Sequence, residues 1–388
     1  MKSIFKKTFA AVMALAMMLG LTACGGKNYT AKNTEYVIGF SGPLTGPAAV
    51  YGVAVQNSAQ MAVDEINAAG GLDGVKFKLL ATDDTHDATK VAANYASMIE
   101  GGMQVSLGTV TTAPCLEFTN LSTEDNVFFI TPSASGDDIP KNDNGFQMCF
   151  ADGNQGKVAA DYVNSTDYKK IGIFYKSDDA YSNGIYKQFK ENLDSSIETV
   201  EAVFTDANAT DFSAQISTLK DCKFIFMPIY YTPASIFMTQ AKDIIAKDAV
   251  YYGCDGFDGL AGQFEDFSVI PQEVSMLSHF DSNATEGAAA EFIKKYTEKF
   301  GADTLNQFGA SAYDCVYAIY NAMKGAMDAG KEIDKTISAS DLCDILKAEF
   351  KGGFTYSGVT GSNIKWQDNG YVTKTAIKYT LKTANSAK

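Results

Sequence analysis

From residue 35 onward the apolar positions switch between two periods, and the switching divides the chain into short strands and longer helices. Residues 36–40 (YVIGF) are a continuous apolar run of strand length. A loop punctuated by glycine and proline follows, Ser41-Gly42-Pro43-Leu44-Thr45-Gly46-Pro47. Val55, Ala59, Ala62 and Ile66 then recur at helical spacing, and Gly70-Gly71 ends that helix. Val75, Phe77 and Leu79 alternate as one face of a second strand, which runs out at Asp83-Asp84. Strand, loop, helix and strand make a βαβ unit. Its loop lies at the carboxyl end of a parallel strand, where open α/β sheets bind small molecules.

The same rhythm continues. Residues 86–100 read as a helix stopped by Gly101-Gly102, and 104–107 as a short strand. Residues 108–112 form a turn into a helix over 113–121; 127–130 is a buried-type strand followed by Thr131-Pro132-Ser133-Ala134-Ser135. Residues 146–150 run extended. The pattern then restarts, with strands at 170–175, 200–204, 223–227 and 249–253 alternating with helices at 178–193, 211–219 and 232–245. The last of these strands ends at Cys254-Asp255-Gly256-Phe257-Asp258. A strand at 274–279 is read as the return to the first half. Helices follow at 286–300, 311–327 and 341–350, then a polar, strand-like tail at 361–383. Strands alternating with helices through both halves predict an α/β fold with two parallel sheets.

Two features of this pattern bear on chemistry. A helix start behind Thr109, Thr111 and Thr112 exposes backbone N–H groups and a positive dipole end, which favours a carboxylate. The threonine hydroxyls there serve either as caps or as anion donors, and spacing alone does not separate the two. Asp255 closes a strand, a position where an aspartate ordinarily caps a turn in solvent.

The runs GPLTGPAAVYG, AVDEINAAGG, TPSAS and GCDGFD occur in the order in which the leucine/isoleucine/valine-binding proteins carry similar runs. The chain resembles that family, type I periplasmic solute-binding proteins of amino-acid ABC transporters, over residues 35–383. The resemblance implies two Rossmann-like lobes joined by three hinge crossovers. Lobe 1 would hold residues 35–150 plus 282–354, and lobe 2 residues 151–281 plus 355–388. It implies capture of an amino acid, branched-chain first, in the interlobe cleft by domain closure. It also assigns roles. Thr109, Thr111 and Thr112 with their backbone would hold the ligand carboxylate, and Ser133, Ala134 and Ser135 would share carboxylate and ammonium. Asp255 would face the ammonium. Tyr51, Tyr181, Tyr230, Tyr231 and Phe150 would wall the side chain, with Phe257 standing where several relatives carry tryptophan. A ligand-sensing receptor subunit on the same fold, or a binder of another small amide or aromatic amino acid, is the alternative.

Composition narrows the classes further. The chain has 388 residues, 46% apolar and 20% charged, enough for two globular lobes. Its formal charge is 32 − 46 = −14, which argues against nucleic acid or an anionic membrane surface as a partner. With two histidines and no CxxC, HExxH, GxxxxGK[ST] or GxSxG pattern, no metal, cofactor or catalytic constellation is expected. The expectation is a binding protein and not an enzyme, a monomer whose partner is an ABC permease.

The front end reads as a secretory signal over residues 1–24. Lys2, Lys6 and Lys7 precede an apolar stretch at 9–21 that is too short to span a bilayer. Leu21-Thr22-Ala23-Cys24 resembles a bacterial lipobox, which implies lipidation at Cys24 and an extracytoplasmic protein anchored to the cell membrane. Residues 25–34 would be a flexible tether. Cys115, Cys149, Cys222, Cys254, Cys315 and Cys343 either pair or stay as buried thiols.

Overall fold

The computed structural model describes residues 29–374 and 376–383; the expected signal segment, Cys24 and the first part of the expected tether lie outside the described residues. The first sheet is built from β1 (Tyr36–Gly42), β2 (Phe77–Asp83), β3 (Val105–Ser106), β4 (Phe129–Thr131) and β5 (Gly145–Gln147). All neighbours are parallel, in the order β2-β1-β3-β4-β5. Its helices are α1 (Ala49–Ala68), α2 (Val91–Glu100) and α3 (Thr112–Glu124). Every residue of β1 is buried, as a parallel strand covered by helices on both faces requires.

The second sheet repeats the plan. Helix α4 (Asp152–Asn164) precedes β6 (Lys170–Lys176), α5 (Ala180–Asn192), β7 (Glu198–Phe204), α6 (Ser213–Leu219), β8 (Phe224–Met227), α7 (Tyr231–Ala241), β9 (Val250–Gly253) and β10 (Glu273–Ser278). The order β7-β6-β8-β9-β10 is the same permutation as in the first sheet. Each sheet therefore has one point where neighbouring strands send their connections opposite ways: β1/β3 in the first, β6/β8 in the second. Ligands settle at such switch points.

The chain then returns to the first sheet through α8 (Gly287–Phe300), α9 (Gln307–Asp328) and α10 (Ala339–Lys351). Helix α9 carries Ala312, Val316, Ile319 and Met323 as a buried stripe and packs along α1, whose Val55, Ala59 and Ala62 join the same core. It begins before the expected residue 311 because Asn306 caps it, accepting from Phe308 N–H at 3.1 Å and Gly309 N–H at 2.9 Å. The hairpin β11 (Thr355–Gly358) and β12 (Gly361–Lys365) ends the first-lobe packing, and β13 (Ile377–Lys382) adds an antiparallel edge to the second sheet beside β10.

Three local expectations change. The strand at 274–279 lies inside the second sheet as β10, and the crossing to the first lobe follows it. The hairpin β11–β12 packs on the first lobe, where Tyr356 OH donates to Asp314 at 2.8 Å and Trp366 lies against Phe350. The final crossing thus comes between Trp366 and β13, later than residue 355, because an aromatic cluster with an indole N–H donating to Gln147 O at 2.8 Å holds the segment back. Residues 86–90 are not α-helical: Asp83 and Asp84 capture the N–H groups of Thr85 and His86, each at 2.9 Å, and both latter residues take positive φ. All six described cysteines are buried free thiols. No helix of the described residues is long and apolar enough to cross a membrane.

Candidate functional site

The loops after β1, β3 and β4 meet the loops after β6, β8 and β9 across one cleft. Their side chains line one small, tight cavity. Tyr51, Thr111, Thr112, Ser133 and Ser135 line it from the first lobe; Tyr181, Tyr230 and Asp255 line it from the second. Val110, Gly256 and Phe308 complete the wall. The lobes touch directly here. Tyr51 OH donates to Gly256 O at 2.6 Å, Thr232 OH donates to Pro47 O at 2.8 Å, and Gln307 N–H donates to the Asp258 carboxylate at 2.9 Å.

One end of the cavity offers donors. Thr111 is the N-cap of α3, held extended, and its hydroxyl makes no capping bond. The first backbone return is Cys115 N–H to Thr111 O at 3.0 Å, and Pro114 has no N–H, so Thr112 and Ala113 present the free donors of the helix start. The Thr112 hydroxyl is buried and has no partner in the protein. A buried hydroxyl in that state costs about 1–3 kcal/mol unless something accepts from it. Together these groups form a seat for an anion.

The other end offers a carboxylate. Asp255 sits just beyond β9, fully buried, and accepts from Tyr181 OH at 2.7 Å. Its backbone N–H donates to Gln155 Oε1 at 3.0 Å, which fixes the turn. Burial pushes its carboxyl up to about 7, against the Tyr181 hydrogen bond that holds it down. Burial and the charge of Asp255 also push the neighbouring Asp152 carboxyl well above its ordinary value. Two poorly solvated carboxyls beside a cavity favour a cation between the lobes. Tyr181 stacks on Tyr230 at 4.6 Å and accepts from Gly256 N–H at 2.9 Å, so the aromatic wall and the acid are braced as one unit.

The remaining residues picked from sequence stand elsewhere. Thr109 is buried behind the wall and donates to Thr111 O at 3.4 Å, shaping the turn. Ala134 packs in the first-lobe core, and its carbonyl accepts from Gln147. Tyr231 sits one layer out, edge-on to Tyr51 at 4.9 Å, with its oxygen accepting from Val50 N–H at 3.4 Å. Phe150 meets His279 edge-on at the hinge and lines a different hollow there. Phe257 is buried in the core.

Sequence reasoning passed over His86, Gln155 and Phe308. His86 bonds Thr111 Oγ1 through Nδ1 at 2.9 Å and lies edge-on to Tyr230 at 5.3 Å. No pattern marks it, because a left-handed loop delivers it rather than a periodic element. Phe308 arrives from more than 250 residues after Tyr51, on the first turn of α9, and meets that ring edge-on at 4.9 Å. Among the described residues no group of three or more His, Cys, Asp or Glu could hold a metal ion.

Residues 35–384 match the family described as "Periplasmic binding protein". The Leu/Ile/Val-binding protein BraC3 of Rhizobium johnstonii is 28% identical over 339 residues, covering 85% of this chain and 89% of that protein. The leucine-, isoleucine-, valine-, threonine- and alanine-binding protein of Pseudomonas aeruginosa is 28% identical over 248 residues, covering 62% of this chain and 65% of that one. The crystal structure of the branched-chain amino acid transporter substrate-binding protein LivJ from Streptococcus pneumoniae, in complex with isoleucine, superposes with a TM-score of 0.78 at 28% identity, covering 90% of this chain and 97% of that one. A leucine-binding protein LivK from Thermotoga maritima has the same fold, with a TM-score of 0.76 at 20% identity over 90% of this chain and 96% of that one. The chain belongs to the periplasmic binding protein family, with the two-lobed type I fold of proteins that bind a solute rather than transform it.

Proposed function

We propose that this protein captures a free α-amino acid, with branched-chain amino acids first, and delivers it to an ABC permease. The observation that carries the reading is the opposition across one cavity of a fully buried Asp255 and an unpartnered, buried Thr112 hydroxyl at a helix start. An α-amino acid is a zwitterion whose ammonium and carboxylate match those two ends. Each head group would otherwise lose several kcal/mol of hydration on burial, to order of magnitude. The names of the Rhizobium, Pseudomonas and Streptococcus proteins support the branched-chain choice.

A ligand that touches both lobes binds the closed form selectively and shifts the open–closed equilibrium toward it. The closed form would be what the permease recognises. Residues 35–150 with 282–354 and residues 151–281 with 355–388 are the proposed moving bodies, amended by the hairpin at 355–365 that packs with the first lobe. Cys24 would carry the lipid that holds the protein at the outer face of the cell membrane as a monomer.

One observation favours a longer side chain. A second hollow of about 160 Å³ adjoins the first, and Tyr230 lines both. Rotation of the Tyr230 ring would join the two and admit an aromatic amino acid. Denaturing the purified protein and identifying the released small molecule by mass spectrometry tests both readings. Release of an intact α-amino acid is expected, and its side chain decides between them. Release of a simple carboxylic acid or an amide without an ammonium group would overturn both.

A further inference from the structure

Thr111 lines the cavity at the anion end, yet its hydroxyl does not cap its own helix. It is bonded instead to His86 Nδ1 at 2.9 Å. A hydroxyl has one proton, so the direction of that bond decides what Thr111 shows the cavity. If Nδ1 carries the proton, it donates to Thr111 Oγ1, and the threonine O–H is free to donate to a carboxylate. If Nδ1 is bare, the threonine must donate to it and turns only lone pairs toward the ligand.

The loop is built to hold the ring in this place. His86 takes a left-handed backbone with φ of 66°, uncommon for a residue with a side chain. Its N–H donates to Asp84 Oδ1 at 2.9 Å, and Asp84 in turn accepts from Ser41 OH at 3.1 Å. Tyr230 covers one side of the ring edge-on. The charges that act on it are Asp179, Lys176 and Asp206 from the second lobe and Asp87 from its own loop. Burial lowers the tendency of the imidazole to take a second proton, which favours its two neutral tautomers.

We propose that His86 is a positioning residue that presents N–H at Nδ1 and thereby makes Thr111 a donor to the ligand carboxylate. The inference rests on the α-amino acid reading above. Binding then selects one tautomer of a residue that never touches the ligand's charge itself.

Two isosteric substitutions separate the cases. Asparagine and aspartate both tolerate left-handed backbone. His86→Asn can place an N–H opposite Thr111; His86→Asp offers only acceptors at neutral pH. Binding of leucine, or of the amino acid released from the native protein, is measured by calorimetry. Asn should stay within about threefold of wild type, and Asp should weaken binding by about 10-fold or more, the scale of one lost hydrogen bond to a charged group. In a Thr111→Val background the Asn–Asp gap should shrink to about threefold or less if His86 acts through that hydroxyl. A gap that persists there means the aspartate charge acts directly on the ligand, and it overturns the proposal. Equal weakening by Asn and Asp overturns it too.

A measurement without mutation in the site guards against misfolded variants. The chain has only two histidines, so ¹⁵N imidazole spectra of the wild-type complex are simple. His86 should show the proton on Nδ1 when ligand is bound, and a proton on Nε2 alone refutes the assignment. If the wild type binds no amino acid, the proposed function fails and this inference with it. If the wild type binds while the Asn and Asp variants behave alike, only this inference fails.

Discussion

At the scale of single residues, the proposed reading divides the ligand's two charges between Asp255 and Thr112. Truncating one partner of a buried ion pair costs about 3–5 kcal/mol, so Asp255→Ala should weaken amino-acid binding on the order of 100- to 1000-fold by calorimetry. Thr112→Val keeps the shape and removes one hydrogen bond to a charged group. It should weaken binding about 10- to 100-fold while leaving the free protein's stability unchanged or higher, because the unpartnered buried hydroxyl is gone. Asp255 was legible in the sequence only through the GCDGFD run; as a strand-end aspartate it looks like a solvated turn cap, and burial is what makes it different. Thr109 and Ala134 illustrate the reverse. They neighbour the ligand loops in sequence, but alternate backbone directions turn them into the core, and no spacing rule shows which way a loop residue points.

At the scale of elements, the site depends on how two loops approach each other. A methyl group on Gly256 would come within 2.7 Å of the Tyr181 oxygen and 2.8 Å of Ile229 O. Gly256→Ala must therefore displace the Tyr181 ring from Asp255. Overpacking of this kind costs about 1–3 kcal/mol, and both the melting temperature and the ligand affinity should fall together. Strands and long helices were readable from their periods, since β1, β8 and the α9 stripe are buried as patterned. The segment at 86–90 was not. Its residues fit a helix by composition, and only the carboxylates of Asp83 and Asp84, acting on the next two N–H groups, convert it into the left-handed loop that carries His86. The packing of the hairpin at 355–365 is not legible for a similar reason: nothing local says that Tyr356 and Trp366 find their partners in α9 and α10.

At the scale of the whole molecule, the same strand permutation recurs in both sheets, and hydrogen bonds bridge the cleft between the lobes, which the proposed closure would form and break. Tyr51→Phe removes the bond to Gly256 O without altering the ring. It should raise the population of open molecules in the absence of ligand, seen as a larger radius of gyration by small-angle scattering; an unchanged radius would mean the other bridges suffice.

Proton linkage gives a second global signature. The folded Asp255 carboxyl sits at about 7, above its unfolded value near 3.8, so the native state holds more protons between those limits. The sign follows: stability from this group is greatest at low pH and is lost as pH rises toward 7. Asp255→Asn should thus gain on the ligand-free wild type between pH 5 and pH 8, by about 1.4 kcal/mol for each unit up to the folded value. A stability difference that does not change with pH, measured by urea unfolding, would contradict a buried, proton-holding Asp255. For ligand binding the direction reverses, because an ammonium requires the ionised carboxylate.

The most direct measurement is therefore calorimetric titration of the refolded, ligand-free protein with leucine, isoleucine and valine at pH 5.5 and pH 8, for wild type and Asp255→Asn. The account predicts 1:1 binding by the wild type that strengthens by about 10-fold or more from the lower pH to the higher, and weak, pH-insensitive binding by the variant. Equal affinities of wild type and variant at pH 8 would contradict the claim that Asp255 holds the ligand's ammonium.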